Sequence, residues 1–169
     1  MPRRILFLCT GNSARSILAE ATLRAWGAPR FEAFSAGSHP AGQVNPGALA
    51  QLRAAGIATE GLHSKSWDAF AAAGAPALDV VVTVCDGAAA EACPVLFGDF
   101  VRAHWGQPDP AAIAAASARQ AAFEQAHAIV AGRIRALLAL PEALWNEPAA
   151  LKAALDAIGA SPEAAGAGT

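Results

Sequence analysis

Short apolar runs and helical stripes alternate along this chain. Arg4-Ile-Leu-Phe-Leu-Cys9 is an apolar run too short for a helix and reads as a buried strand. From Ser16 to Trp26, Ile17, Leu18, Ala21 and Ala25 recur at helical spacing, and Gly27 ends the run. Phe31 to Phe34 predicts a second strand, closing in Ser35-Ala-Gly37. A loop rich in Gly and Pro over 38–46 leads to a helix over about 47–55, which Gly56 ends, and a short helix is expected around 66–72. Asp79-Val-Val-Val-Thr-Val84 is the clearest strand, and its β-branched run predicts burial on both faces, as at the centre of a parallel sheet. Residues 85–99 read as a loop, Phe100 to His104 as a fourth strand and Trp105 to Pro110 as a turn. A long helix over 117–140 carries the stripe Phe123, Ala126, Val130, Ile134, Leu137, and Pro141 ends it. A last amphipathic segment over about 148–158 precedes an Ala/Gly tail expected to be disordered.

Strand alternating with helix predicts a single α/β domain, a four-stranded parallel sheet with helices on both faces. In such open sheets ligands bind beyond the carboxyl ends of the strands, so the residues just after each strand carry the most information. Composition narrows the classes. The chain has 169 residues, 54% apolar and 15% charged, with a formal net charge of -2. That length buries a real core without staples. No apolar run is long enough to span a bilayer and no secretory signal opens the chain, so no membrane association is expected. Near-zero net charge offers no basic stripe, so no nucleic-acid partner is expected. Three cysteines without an export signal argue against a disulfide framework and for a cytoplasmic protein whose thiols are free for chemistry.

Cys9-Thr-Gly-Asn-Ser-Ala-Arg15-Ser16 joins the first strand directly to a helix N-terminus, where unpaired N–H groups and the helix dipole favour an anion. Thr10, Gly11, Asn12, Ser13, Ala14, Arg15 and Ser16 are the expected oxyanion cradle. Gly11 is expected to let the backbone curl so that successive N–H groups converge. Arg15 adds a planar fork of donors, and Asn12, Ser13 and Ser16 can brace the loop and the sulfur. At the mouth of this positive loop the Cys9 thiolate is favoured, below the roughly 8.5 at which a free cysteine titrates. A thiolate beside a bound oxyanion is a nucleophile aimed at phosphorus or arsenic. No Gly-Lys-Ser/Thr ending is present, which excludes the phosphate loop of nucleotide enzymes.

Cys-x5-Arg-Ser after the first strand, Ser35-Ala-Gly37 after the second, Val81-Val-Thr-Val-Cys85 and His104-Trp-Gly-Gln-Pro-Asp-Pro110 resemble the low-molecular-weight protein tyrosine phosphatase superfamily, which includes the thioredoxin-type arsenate reductases. The resemblance covers roughly residues 3–140. It implies a catalytic phosphatase-like domain over 1–145, followed by a C-terminal helix and disordered tail over 146–169. It also implies that Asp109, stiffened between Pro108 and Pro110, is the general acid that protonates the leaving oxygen.

Phosphatases of this family usually carry aromatic residues, typically tyrosines, just after Asp-Pro, whereas here the chain continues Ala111-Ala112 and contains no tyrosine. Phosphoester hydrolysis needs one cysteine, while reducing arsenate takes two electrons, which a pair of thiols supplies by forming a disulfide. The resemblance implies that Cys9 attacks arsenate, Cys85 attacks the Cys9–arsenic adduct, and Cys93 then attacks Cys85. Were 85–93 helical, the two Cα atoms would lie about 12 Å apart, beyond the roughly 7 Å a disulfide tolerates. The stretch between them is therefore expected to loop or unwind on oxidation. No bound cofactor is expected, only an external thiol reductant. Seven residues separate Cys85 from Cys93 where the best-known thioredoxin-coupled pattern has six, which leaves thioredoxin and glutathione with glutaredoxin both open as partner. Asn12, Glu20 and Ser35 match positions that some reductases of the family use for potassium. Lys65 stands where an acidic partner is expected, so its ammonium is expected to replace the ion, with no metal bound. His39 and Trp67 read as ordinary surface or core residues. Arsenate reductase is the leading expectation; the alternatives are a phosphotyrosine or small phosphoester hydrolase, and a non-catalytic oxyanion-binding or redox-sensing module.

Overall fold

A computed structural model describes residues 2–84 and 100–160. Four strands form one all-parallel sheet: β1 (Arg3–Cys9), β2 (Phe31–Gly37), β3 (Val80–Thr83) and β4 (Val101–His104), in the order β2-β1-β3-β4. Helices α1 (Arg15–Gly27), α2 (Pro46–Ala54), α3 (Asp68–Ala71), α4 (Ala116–Leu138) and α5 (Pro148–Ala160) connect and cover it, with 3-10 turns at Pro110–Ala112 and Glu142–Asn146. The expected α/β architecture is present, with most element ends shifted by one or two residues. The exception is β2, which runs to Gly37 because its whole length pairs in register with β1, from Arg3↔Phe31 to Cys9↔Gly37.

The pleat sends successive side chains of β1 to opposite faces. Ile5, Phe7 and Cys9 join the larger core with Ile17 and Leu18 of α1, Leu52 of α2, Phe123 and Ile134 of α4, and Leu151 and Leu155 of α5. Leu6 and Leu8 face the other way, into a smaller core with Val81 and Phe70 of α3. Burial on both faces is why β1 and β3 read as unbroken apolar runs.

Chain order places β2 on one side of β1 and β3 on the other. A doubly wound sheet opens a crevice where connections leave in opposite directions, beyond the strands' carboxyl ends. Here that point is the end of β1, at Cys9. The expected loop over 85–99 and the tail over 161–169 lie outside the described residues.

Candidate active site

Cys9 ends β1 at 4% exposure, and α1 begins six residues later at Arg15 with no side-chain cap on its first-turn N–H groups. The loop between is anchored by its carbonyls. Thr10 accepts from the His39 N–H at 2.9 Å, Gly11 from the Ala41 N–H at 2.8 Å and the Ser64 hydroxyl at 3.2 Å, and Ser13 from the Asn45 N–H at 2.9 Å. In a planar trans peptide the next N–H points opposite to the carbonyl. The N–H groups of Gly11, Asn12 and Ala14 therefore turn away from these anchors, the orientation an anion cradle beside a helix end requires. The residues that set this orientation, His39, Ala41 and Asn45, carried no signal in the sequence, because they act through backbone N–H groups alone.

The curl of the loop corrects one expectation. The left-handed residue is Asn12, at φ 45°, and Gly11 is not in that region. Asn12 holds this conformation with a fully buried side chain. Its amide donates to the Ser16 and Ser35 hydroxyls, both at 2.9 Å, and its carbonyl oxygen accepts from the Lys65 N–H at 2.9 Å. Asparagine tolerates left-handed backbone better than other side chains of its size, and three bonds specify the state here. Gly37 closes β2 against the loop: a Cβ there would lie 2.5 Å from the Thr10 carbonyl oxygen and 2.9 Å from that of Cys9.

Arg15 reaches across to the segment after β4. Its guanidinium donates to the Gln107 carbonyl at 3.0 Å and stands 3.7 Å from the Asp109 carboxylate. Its Nε is buried and has no hydrogen-bond partner among the described residues. A buried, unpaired charge-bearing donor is costly, and a tetrahedral oxyanion in the cradle is a partner of the right charge. Asp109 precedes the 3-10 turn and accepts from the Ala111 N–H at 3.0 Å, so Pro110 and this bond fix the carboxyl beside Arg15. Trp67 packs against the smaller core, as expected of a structural residue. Cys85 and Cys93 lie outside the described residues.

Behind the loop, Glu20 on α1 is buried at 4% exposure and pairs with Arg24 at 2.5 Å. The Ser35 hydroxyl also donates to Glu20. The Lys65 ammonium donates to the Ser35 carbonyl at 2.8 Å and the His63 carbonyl at 3.0 Å, and stands 3.9 Å from Glu20. Burial lowers the Lys65 pKa, Glu20 opposes that shift and Arg24 adds to it. The ammonium thus stands where the expected cation would, bonded to the Ser35 and His63 carbonyls and beside Glu20. Among the described residues no group of three His, Cys, Asp or Glu side chains is arranged to hold a metal, and no helix is long and apolar enough to cross a membrane.

A family model described as low molecular weight phosphotyrosine protein phosphatase matches residues 4–152. An arsenate reductase of Halalkalibacterium halodurans is 39% identical over 107 residues, 63% of this chain and 73% of that protein. A solved arsenate reductase in a phosphate-binding state is 26% identical with a TM-score of 0.62, covering 81% of this chain and 97% of its own. A thioredoxin-dependent arsenate reductase of Corynebacterium glutamicum is 25% identical with a TM-score of 0.56, covering 80% of this chain and 60% of its own.

Proposed function

The chain belongs to the low molecular weight phosphotyrosine protein phosphatase family, and from that premise we infer that it is an arsenate reductase. The observation that carries the mechanism is the convergence of the Cys9 loop, the uncapped end of α1, Arg15 and Asp109 at one point beyond the sheet. Arsenate binds as an oxyanion to the loop N–H groups and to Arg15. The Cys9 thiolate attacks arsenic, and Asp109 gives a proton to the departing oxygen, which leaves as water. The Cys85 thiolate then attacks the Cys9 sulfur. The sulfur–arsenic bond breaks with its electron pair on arsenic, which leaves as arsenite, and a Cys9–Cys85 disulfide remains. Attack of Cys93 on Cys85 frees the Cys9 thiolate and passes the disulfide to Cys85–Cys93. An external dithiol protein reduces it. Thioredoxin is the first candidate, in line with the Corynebacterium relative, and glutaredoxin with glutathione is the alternative.

Hydrolysis of phosphoesters needs Cys9, Arg15 and Asp109 alone, so the second and third cysteines separate the two activities. The absence of any tyrosine, and the Ala111-Ala112 turn where an aromatic substrate is usually flanked, favour the reductase. Cys85→Ser decides between them: arsenite production is expected to disappear while p-nitrophenyl phosphate hydrolysis persists. Undiminished arsenite production by that variant, or none by the intact protein with any thiol reductant, overturns the reading. Lys65 takes the place of a structural cation in this account, its ammonium supplying the positive charge beside Glu20.

A further inference from the structure

The segment Trp105–Pro110, which presents Asp109, follows β4 without belonging to a strand or helix until the 3-10 turn. Two arginines hold it by its carbonyls. Arg15 takes Gln107, as above. Arg133 of α4, only 4% exposed, donates to the Trp105 carbonyl at 2.8 Å and to the Gly159 carbonyl in the last turn of α5 at 3.0 Å. Burying a guanidinium carries a desolvation penalty, and burial lowers the Arg133 pKa. Its partners among the described residues are carbonyls from two separate elements, one of them at the negative end of a helix dipole. A charge used this way fixes the position of α5 relative to the segment.

Further contacts tie α5 to this segment and to the strand before it. The Trp105 indole N–H donates to the Leu155 carbonyl of α5 at 2.9 Å, and Lys152 donates to the Arg102 carbonyl of β4 at 2.8 Å. Gly159 sits so close that a Cβ there would lie 2.2 Å from the His104 carbonyl oxygen and 2.7 Å from the Trp105 ring. The family match ends at residue 152, so this closest contact is made beyond it.

We propose that Arg133 and the C-terminal turn of α5 position the general acid, by fixing the Trp105 end of the segment whose other end Arg15 holds. Arg133 is a positioning residue: the Trp105 carbonyl it holds lies four residues of chain before Asp109. The inference rests on Asp109 being the acid, and the experiment separates the two. Full-length protein is pre-reduced, and the single-turnover rate of arsenite release is measured against arsenate concentration. Affinity for inorganic phosphate is measured by calorimetry and stability by thermal unfolding. The variants are Arg133→Met, Arg133→Lys, Gly159→Ala and Asp109→Asn, with Ala153→Ser, exposed and outside the last turn of α5, as control. Arg133→Met and Gly159→Ala are expected to slow the maximal rate about tenfold, less than the roughly hundredfold that a misplacement of about 1 Å can cost. The half-saturating arsenate concentration and phosphate affinity are expected to stay within about twofold, because the cradle is untouched. Arg133→Lys should recover part of the rate, and the control all of it. Should Arg133→Met fail to fold, Gly159→Ala carries the test alone. Wild-type rates in Gly159→Ala alongside a slow Asp109→Asn overturn the positioning role only. Parallel loss of rate and phosphate affinity also overturns it, as general structural damage. A wild-type rate in Asp109→Asn removes the acid itself, and the proposal with it.

Discussion

Replacing Asn12 tests how the oxyanion loop holds its shape. Asn12→Ala removes the bonds to Ser16, Ser35 and the Lys65 N–H while keeping a Cβ at a positive φ. Each neutral hydrogen bond contributes about 1 kcal/mol net, so the three sum to about 3 kcal/mol. Left-handed backbone costs an ordinary L-residue about 1 kcal/mol more. The loss is then about 4 kcal/mol, a large share of the 5–15 kcal/mol that typically holds a domain together. Asn12→Gly loses the same bonds and avoids the backbone penalty, so it should be the more stable of the two by about 1 kcal/mol. Urea unfolding of the reduced proteins measures both differences, and phosphate calorimetry reports the state of the cradle. Both variants should bind phosphate at least tenfold more weakly, the loop no longer being held open. If both unfold within 0.5 kcal/mol of wild type, or the alanine variant is the more stable, the account of the loop is wrong.

Three further outcomes follow from the same geometry. Gly37→Ala should cost roughly 2 kcal/mol, in the usual range for overpacking, and weaken phosphate binding, because the new methyl meets the Thr10 and Cys9 carbonyls; unchanged affinity in a folded variant contradicts this. With Lys65 in place of a cation, wild-type turnover should be the same in potassium and sodium chloride at equal ionic strength, and a several-fold potassium activation would refute that. His127 is buried between Thr22 and Gln51, and desolvation, with Arg135 adding to it, lowers its pKa. The unfolded chain then binds the extra proton first, so stability should fall as pH drops below about 6.5 towards the folded pKa. His127→Gln should flatten that part of the profile, as read from urea midpoints at pH 5 and pH 7. Equal slopes in the two proteins would remove His127 as the cause.

The parts of the site legible in the sequence were those that local chemistry dictates. Cys9 and Arg15 stand on either side of a strand-to-helix junction, and any such junction exposes donors. Asp109 was legible through its flanking prolines, which restrict the backbone wherever they occur. Asn12 gives less signal in the sequence than Gly11, because its conformation depends on Ser35 and Lys65, far away in sequence. The extension of β2 was hidden for a related reason. Ser35-Ala-Gly37 has no apolar alternation, and only pairing with β1 makes it a strand. Arg133 gave no sign either. An arginine on an amphipathic helix ordinarily faces water, and this one is buried because α5 closes over it.

The alternation along β1 has a consequence for how such a chain can change. Cys9 belongs to the same side of the pleat as Ile5 and Phe7, and the loop begins where that series stops. Gaining or losing one residue within Arg3–Leu8 would exchange the two sides, presenting leucines to α1 and turning the sulfur towards α3. The reactive atom is thus addressed by the packing of the interior. Drift in the strand is confined to swaps that preserve its length, and the scaffold and the chemistry are inherited as one trait.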